Sequence, residues 1–183
     1  YQSASGAGKE LVWELEGQIQ AIAGGRPVEH HVYPHQLAHN VVPGGWPMED
    51  EGYNEEETKL RNETRKILHL PELRIAATCV RVPVPIAHGE SVFLETEEPL
   101  GPTEARELLA GAPGVVVQDD PAGQGYPTPA AVVGTDEVFV GRVRRDLSQE
   151  NGLALWIVAD NLRKGAALNA VQVAERAIQE GVL

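Results

Sequence analysis

An α+β domain, built on a mostly antiparallel or mixed sheet with helices packed on one face, is the fold class the sequence predicts, and three observations carry it. Strand patterns follow one another through the second half of the chain, at 91–96, 115–118, 130–133, 137–145 and 153–159, with one short helical stretch at 102–110 among them. Strands joined by short connections pair antiparallel, because a parallel partner needs a crossover of a dozen residues or more. Helical periodicity is concentrated elsewhere, at 9–23, 54–70 and 160–181. The chain of 183 residues, 42% hydrophobic, is long enough for one domain with a substantial core or for two very small ones, and a single domain over 1–183 is the default expectation.

The elements follow in order. Residues 1–8, YQSASGAG, lead into KELVWELEGQIQAIAGG, where Leu11, Leu15, Gln18 or Ile19, and Ile22 recur at helical spacing; the helix should start between Gly6 and Lys9 and stop at Gly24 and Gly25. Hydroxyls and glycines before a helix either cap it or leave N–H groups for a phosphate, carboxylate or amide. Segment 26–53 mixes His30, His31, His35 and His39 with Pro34, Pro43, Gly44, Gly45 and Pro47, which predicts an irregular excursion with solvated histidines and no metal site. Asn54 and Glu57 then form a capping pair for NEEETKLRNETRKILHL, whose buried stripe should be Leu60, Thr64, Ile67 and Leu68. On an adjacent face Glu56, Lys59, Glu63 and Lys66 alternate in sign, the usual pattern of a solvated, salt-bridged surface.

Residues 73–82 give the clearest strand pattern, apolar, β-branched or small throughout. Period two puts Arg81 on the row of Ile75, Ala77 and Cys79, where a permanent charge requires an anion, either a core acid or a ligand carboxylate or phosphate. Pro83 and Pro85 stop regular pairing and bend the chain just before His88. Arg81 and His88 at a bent strand end are therefore candidate site residues. Cys79, inside the strand, reads as a small buried thiol. The last helix opens at Asp160, with Asn161 and Arg163 in its first turn, and carries Ala166, Ala170, Ala174 and Ala177 on one stripe suited to a close neighbour.

A net charge of −12 with dispersed acids excludes a nucleic-acid backbone or an anionic membrane surface as partner. One cysteine allows no internal disulfide, no apolar run is long enough to span a bilayer, and a cytoplasmic setting is expected. The chain starts at Tyr1 without Met, in what reads as a loop feeding a helix, so a piece of a longer protein is expected.

Four ordered motifs, YQSASGAG, EEETKLRNETRKI, ATCVRVPVPIAHGES and ADNLRKGAALNAVQ, together resemble the C-terminal domain of the aspartate-β-semialdehyde dehydrogenase family, across essentially the whole chain. The resemblance implies an α+β domain similar to the C-terminal domain of glyceraldehyde-3-phosphate dehydrogenase-like enzymes, supplying substrate contacts and a homodimer interface. It implies a separate N-terminal domain that binds NADP and carries the nucleophilic cysteine, with helix 161–181 packing toward it. The activity implied is NADPH-dependent reductive dephosphorylation of L-aspartyl 4-phosphate to L-aspartate 4-semialdehyde and phosphate, a step toward lysine, threonine, methionine and isoleucine. Residue by residue it implies His88 as acid/base group, Arg81 on the substrate α-carboxylate and Gln2 orienting the substrate. Glu56 would face the substrate amino group, Lys59 the phosphate, and Ser5, Gly6 and Asn161 the NADP. No metal is implied. The chain alone should be inactive. A non-catalytic dimerisation or binding module and an N-acetylglutamyl-phosphate-type reductase are the competing readings, and the joint presence of Gln2, Glu56, Lys59, Arg81 and His88 argues against both.

Overall fold

In the computed structural model residues 1–182 are described, and their contacts fall into two compact units, Tyr1–Pro85 and Ile86–Leu183. The boundary follows the Pro83-Val84-Pro85 run that the sequence marks as the end of regular pairing.

In the first unit a 3-10 turn, Ala4–Ala7, precedes α1, Lys9–Ala23. Gly8 separates them at φ +99, a conformation open to glycine and strained for residues with a Cβ. Leu11, Leu15, Gln18 and Ala21 make the buried stripe of α1, and Leu11 and Leu15 pack with Ala4, Tyr33, Leu37, Ala38 and Val42 into the unit's core. Gln18 explains how an irregular excursion folds onto a helix. Its Oε1 accepts the N–H groups of Leu37 and Ala38, both at 2.9 Å, and its Nε2 donates to the Glu29 carbonyl at 3.1 Å. A buried amide thus satisfies backbone groups that neither ladder nor helix would serve.

The second helix, α2, spans Glu55–Ile67 and has the predicted capping box, Asn54 and Glu57 exchanging side-chain and backbone bonds. Its predicted buried stripe is not found. Ile67 and Leu68 are largely exposed and Leu60 is partly so, because within the described residues nothing apolar lies against that face. Residues 73–82 differ as well: burial alternates along them and deepens toward Cys79 and Arg81, but no ladder forms. Pairing is confined to Arg81, which bridges Gln2 on one side and Val42 on the other, since no regular strand runs alongside the rest of the segment.

The second unit is a four-stranded mixed sheet. Its strands are β1 (His88–Glu95), β2 (Val115–Val117), β3 (Val138–Arg145) and β4 (Gly152–Ala159), in the order β1-β4-β3-β2. The β1/β4 and β3/β4 pairs are antiparallel and β2/β3 is parallel. The parallel pair is made possible by the connection through α4 (Pro129–Val132) and its flanking loops. Leu153 and Leu155 of β4 join Val140, Val143 and Ala105 of α3 (Pro102–Ala110) in the main core. Residues of opposite parity, Trp156 and Val158, pack with Ala87, Val132 and Phe139 on the other face. The predicted strand at 130–133 is instead α4, a single turn started by Pro129, whose fixed φ suits the first helical position. The strand predicted from residue 91 begins three residues earlier, at His88.

The closing helix is not uniform. Asp160 caps it as predicted, its Oδ1 accepting from Leu162 N at 2.9 Å and Arg163 N at 3.2 Å, but Arg163–Ala167 forms a π-type turn before α5, Leu168–Gln179. Along its alanine stripe Ala166, Ala170 and Ala174 are exposed and Ala177 is half-buried, and α5 buries none of its residues. In the β3–β4 hairpin Asp146 accepts from the backbone N–H and the hydroxyl of Ser148, which hold its carboxyl below the ordinary value of 3.8.

Gly89 is required by packing and not by conformation. A Cβ there would stand 2.6 Å from Cη2 of Trp156, whose indole N–H is tied to the Pro127 carbonyl at 2.9 Å and so cannot yield freely. Gly89→Ala is expected to cost about 1–3 kcal/mol, read as a lowered midpoint in denaturant; an unchanged midpoint would show that the ring shifts without penalty.

Candidate active site

In the first unit the backbone fixes Arg81 between two segments. Arg81 N–H donates to the Val42 carbonyl at 2.8 Å, Val42 N–H returns to the Arg81 carbonyl at 3.0 Å, and Val82 N–H donates to the Gln2 carbonyl at 3.0 Å. The Arg81 side chain is 1% exposed. Its Nη1 donates to the Ser3 carbonyl at 2.7 Å and, at a long 3.4 Å, to Gln2 Oε1. Nε has no partner, and no carboxylate pairs with the guanidinium among the described residues. Of the two partners left open by the sequence, a core acid is therefore not found.

Gln2 continues the chain of contacts. Its Nε2 donates to Glu56 Oε1 at 3.0 Å, and Lys59 Nζ reaches both Glu56 oxygens, at 3.2 and 3.1 Å. Residues from the N-terminal segment, α2 and the 73–82 segment are thereby joined as Arg81–Gln2–Glu56–Lys59. Glu56 has a side chain only 19% exposed, whereas Lys59 is 49% exposed and free to reorient. The alternating charges of α2 are thus not equivalent: Glu56 is drawn inward by Gln2, which periodicity alone does not reveal.

The SASGAG turn is more occupied than a free anion site would be. Ser5 N–H donates to the Pro85 carbonyl at 2.9 Å, and Gly6 and Gly8 N–H close the turn onto Ser3 and Ser5 carbonyls, both at 3.1 Å. The Ser5 hydroxyl lies 3.0 Å from that of Ser3. Gly6 itself is exposed. Cys79 is buried, and its N–H donates to Glu57 Oε1 at 2.9 Å, so the capping residue of α2 also anchors this segment.

In the second unit His88 is the first residue of β1 and is paired with Ala159, the last of β4. The residue before it, Ala87, is buried and held at φ +75, a strained conformation for a residue with a Cβ. Ala87 N–H donates to Asn161 Oδ1 at 2.9 Å, and the adjacent Asp160 places Asn161 by binding Leu162, Arg163 and, at 2.8 Å, Gly134 N–H. Asn161 therefore lies beside the corner that presents His88. No helix among the described residues is long and apolar enough to cross a membrane, and no group of three or more His, Cys, Asp or Glu is placed to hold a metal.

The second unit is thus α+β with a mixed four-stranded sheet, and the first buries an arginine with no acidic partner among the described residues, bonded to a Gln–Glu–Lys chain. The chain belongs to the family described as semialdehyde dehydrogenase, dimerisation domain, whose sequence model matches residues 1–164. It is 47% identical to the aspartate-semialdehyde dehydrogenase of Aquifex aeolicus over all of this chain and 54% of that protein. It is 49% identical to that of Bacillus subtilis, over 96% of this chain and 53% of that one. Among solved structures it resembles aspartate semialdehyde dehydrogenase II from Vibrio cholerae, alone and complexed with ASA, at TM-score 0.93 and 42% identity over 98% of this chain and 53% of that chain. The chain spans about half the length of the curated relatives it matches.

The rings of Tyr33 and Trp46 against Arg81 escape the sequence reading, because both lie in the excursion 26–53, whose prolines and glycines carry no periodic signal. The Gly44-Gly45 pair just before Trp46 is the one local mark of a tight approach there.

Proposed function

We propose that this chain is the substrate-binding and dimerisation part of an aspartate-semialdehyde dehydrogenase that reduces L-aspartyl 4-phosphate to L-aspartate 4-semialdehyde with release of phosphate, as a homodimer in the cytoplasm, on the route to lysine, threonine, methionine and isoleucine. The observation that carries this is Arg81: a buried guanidinium with an unsatisfied Nε and no acid beside it, linked through Gln2 to Glu56 and Lys59. A charge in that setting is costly unless an anion arrives, and a ligand carboxylate matches its donors edge to edge.

The roles follow from the chemistry of each group. Arg81 holds the α-carboxylate, and Gln2, bonded to both Arg81 and Glu56, orients the substrate. Glu56, which accepts from Gln2 Nε2 and Lys59 Nζ, faces the α-ammonium. Lys59, half exposed on a flexible stem, turns to the phosphate when the substrate arrives. His88 takes and returns the proton on the reacting oxygen as a cysteine of the N-terminal half attacks and leaves.

NADPH, when bound, supplies hydride, and its principal site belongs to the N-terminal half. In the first unit the Ser5 hydroxyl and the exposed Gly6, and separately in the second the Asn161 amide, are the hydrogen-bonding groups assigned to NADP. Helix 161–181, which buries no residue over Leu168–Gln179, packs toward that half. The 183-residue chain alone is inactive in this scheme.

Arg81→Lys in the full-length protein tests the central assignment. Lysine keeps the charge but loses the fork, so KM for the semialdehyde is expected to rise about 10- to 100-fold with kcat changed far less, from the loss of about 1.5–3 kcal/mol of charge-assisted hydrogen bonding. An unchanged KM would remove the carboxylate role. Substantial activity of the isolated chain would overturn the placing of the nucleophile outside it, and no activity in the full-length protein would favour the non-catalytic module.

A further inference from the structure

Arg81 is not held by hydrogen bonds alone. Its Cζ lies 4.7 Å from the centroid of the Trp46 ring and 5.6 Å from that of Tyr33. Both rings come from the excursion 26–53, and a latch holds them there. The Tyr33 hydroxyl donates to the Gly44 carbonyl, and Gly45, at φ +93, leaves the space that its own Cβ would otherwise take from the Tyr33 phenol. Tyr33 is 5% exposed and packed in the core with Leu11 and Leu15, so the latch ties the loop before Trp46 to a rigid element. Two rings of this excursion, Tyr33 and Trp46, thus meet one guanidinium, with Gly45 making room for the first.

From this we propose that Trp46, positioned by the Tyr33–Gly44–Gly45 latch, sets the affinity of the Arg81 site for its carboxylate. The proposal rests on the reading of Arg81 as the carboxylate clamp. The aromatic rings offer π faces to the cation and keep water from it, so the guanidinium tolerates burial before any anion is bound. They also hold its plane fixed, so that the Nε edge, which has no partner, is presented in one orientation. A bidentate contact depends on that orientation, and the entropy of fixing a long side chain is lost in folding and not in binding. Trp46 and Tyr33 touch the arginine and are positioning residues; Arg81 is the group that meets substrate.

The test uses the full-length protein and five variants. Trp46→Leu is expected to raise KM for aspartate semialdehyde about tenfold at nearly constant kcat, and Trp46→Phe, which restores a π face, to recover most of the loss. Tyr33→Phe, which cuts only the latch, should raise KM several-fold in the same direction and reads the same effect where Trp46→Leu fails to fold. In an Arg81→Lys background the Trp46→Leu effect should shrink to about twofold or less, because the fixed plane no longer matters. The proposal is overturned if Trp46→Leu and Tyr33→Phe leave KM unchanged while Arg81→Lys raises it, or if Trp46→Leu lowers kcat alone. If Arg81→Lys itself leaves KM unchanged, the carboxylate assignment fails and this inference falls with it.

Discussion

His88→Ala in the full-length protein is expected to lower kcat for the semialdehyde about 10²- to 10⁴-fold, the usual contribution of a positioned acid or base, with KM changed only a few-fold. The reason for so large an effect lies in how the backbone presents the ring. His88 opens β1 against the last residue of β4, while the preceding Ala87 is kept left-handed by the Asn161 carboxamide. A strained residue buried next to a reactive group persists only when its surroundings over-determine it, and here two adjacent residues, Asp160 and Asn161, do so through four backbone N–H groups. Alanine at 88 leaves that corner intact, so loss of rate without loss of thermal stability separates a proton-transfer role from a structural one. Equal loss of kcat and of folded protein would contradict it.

The chemistry of the first unit was legible where it depends on residue type and parity. Arg81 could be placed on an apolar row from period two alone, and its burial follows. The ladder expected for 73–82 depends on another segment lying alongside, and only Gln2 and Val42 bridge to it, both at Arg81. The same dependence explains α2, where the capping box is a local bond between Asn54 and Glu57 and is found, while burial of Leu60 and Ile67 needs a neighbour that the described residues lack. Residues 130–133 show local chemistry overriding propensity: Pro129 starts a helical turn that the β-branched run does not announce. The relay from Arg81 to Lys59 crosses long sequence separations and was reachable only through resemblance. The rings that surround Arg81 belong to no pattern, since an excursion stapled by Gln18 has no period to read.

Asp119→Ala is expected to produce the largest loss of stability, about 3 kcal/mol, seen as a melting temperature lowered by about 6–12 °C. Asp119 lies between β2 and the 121–129 loop with its side chain 3% exposed. Its Oδ1 accepts Arg142 N–H at 2.7 Å, and its Oδ2 accepts Val143 N–H at 3.1 Å and Arg106 Nε at 2.6 Å. These donors sit at the register shift of β3 between Gly141 and Arg144, where Arg142 is left-handed at φ +56 and the ladder to β4 is interrupted. A bulge frees backbone groups that the neighbouring strand no longer satisfies. One carboxylate takes up two of them and also pairs with Arg106 on α3, whose Nη2 donates to the Val143 carbonyl at 2.5 Å. Removing it strands two N–H groups and a guanidinium at the join of helix and sheet. Asp119→Asn keeps one acceptor oxygen and the shape, so it should recover part of the loss, mostly by retaining one backbone bond. A melting temperature for Asp119→Ala within about 2 °C of the parent would mean that water serves these groups equally well and that Asp119 does not anchor the bulge.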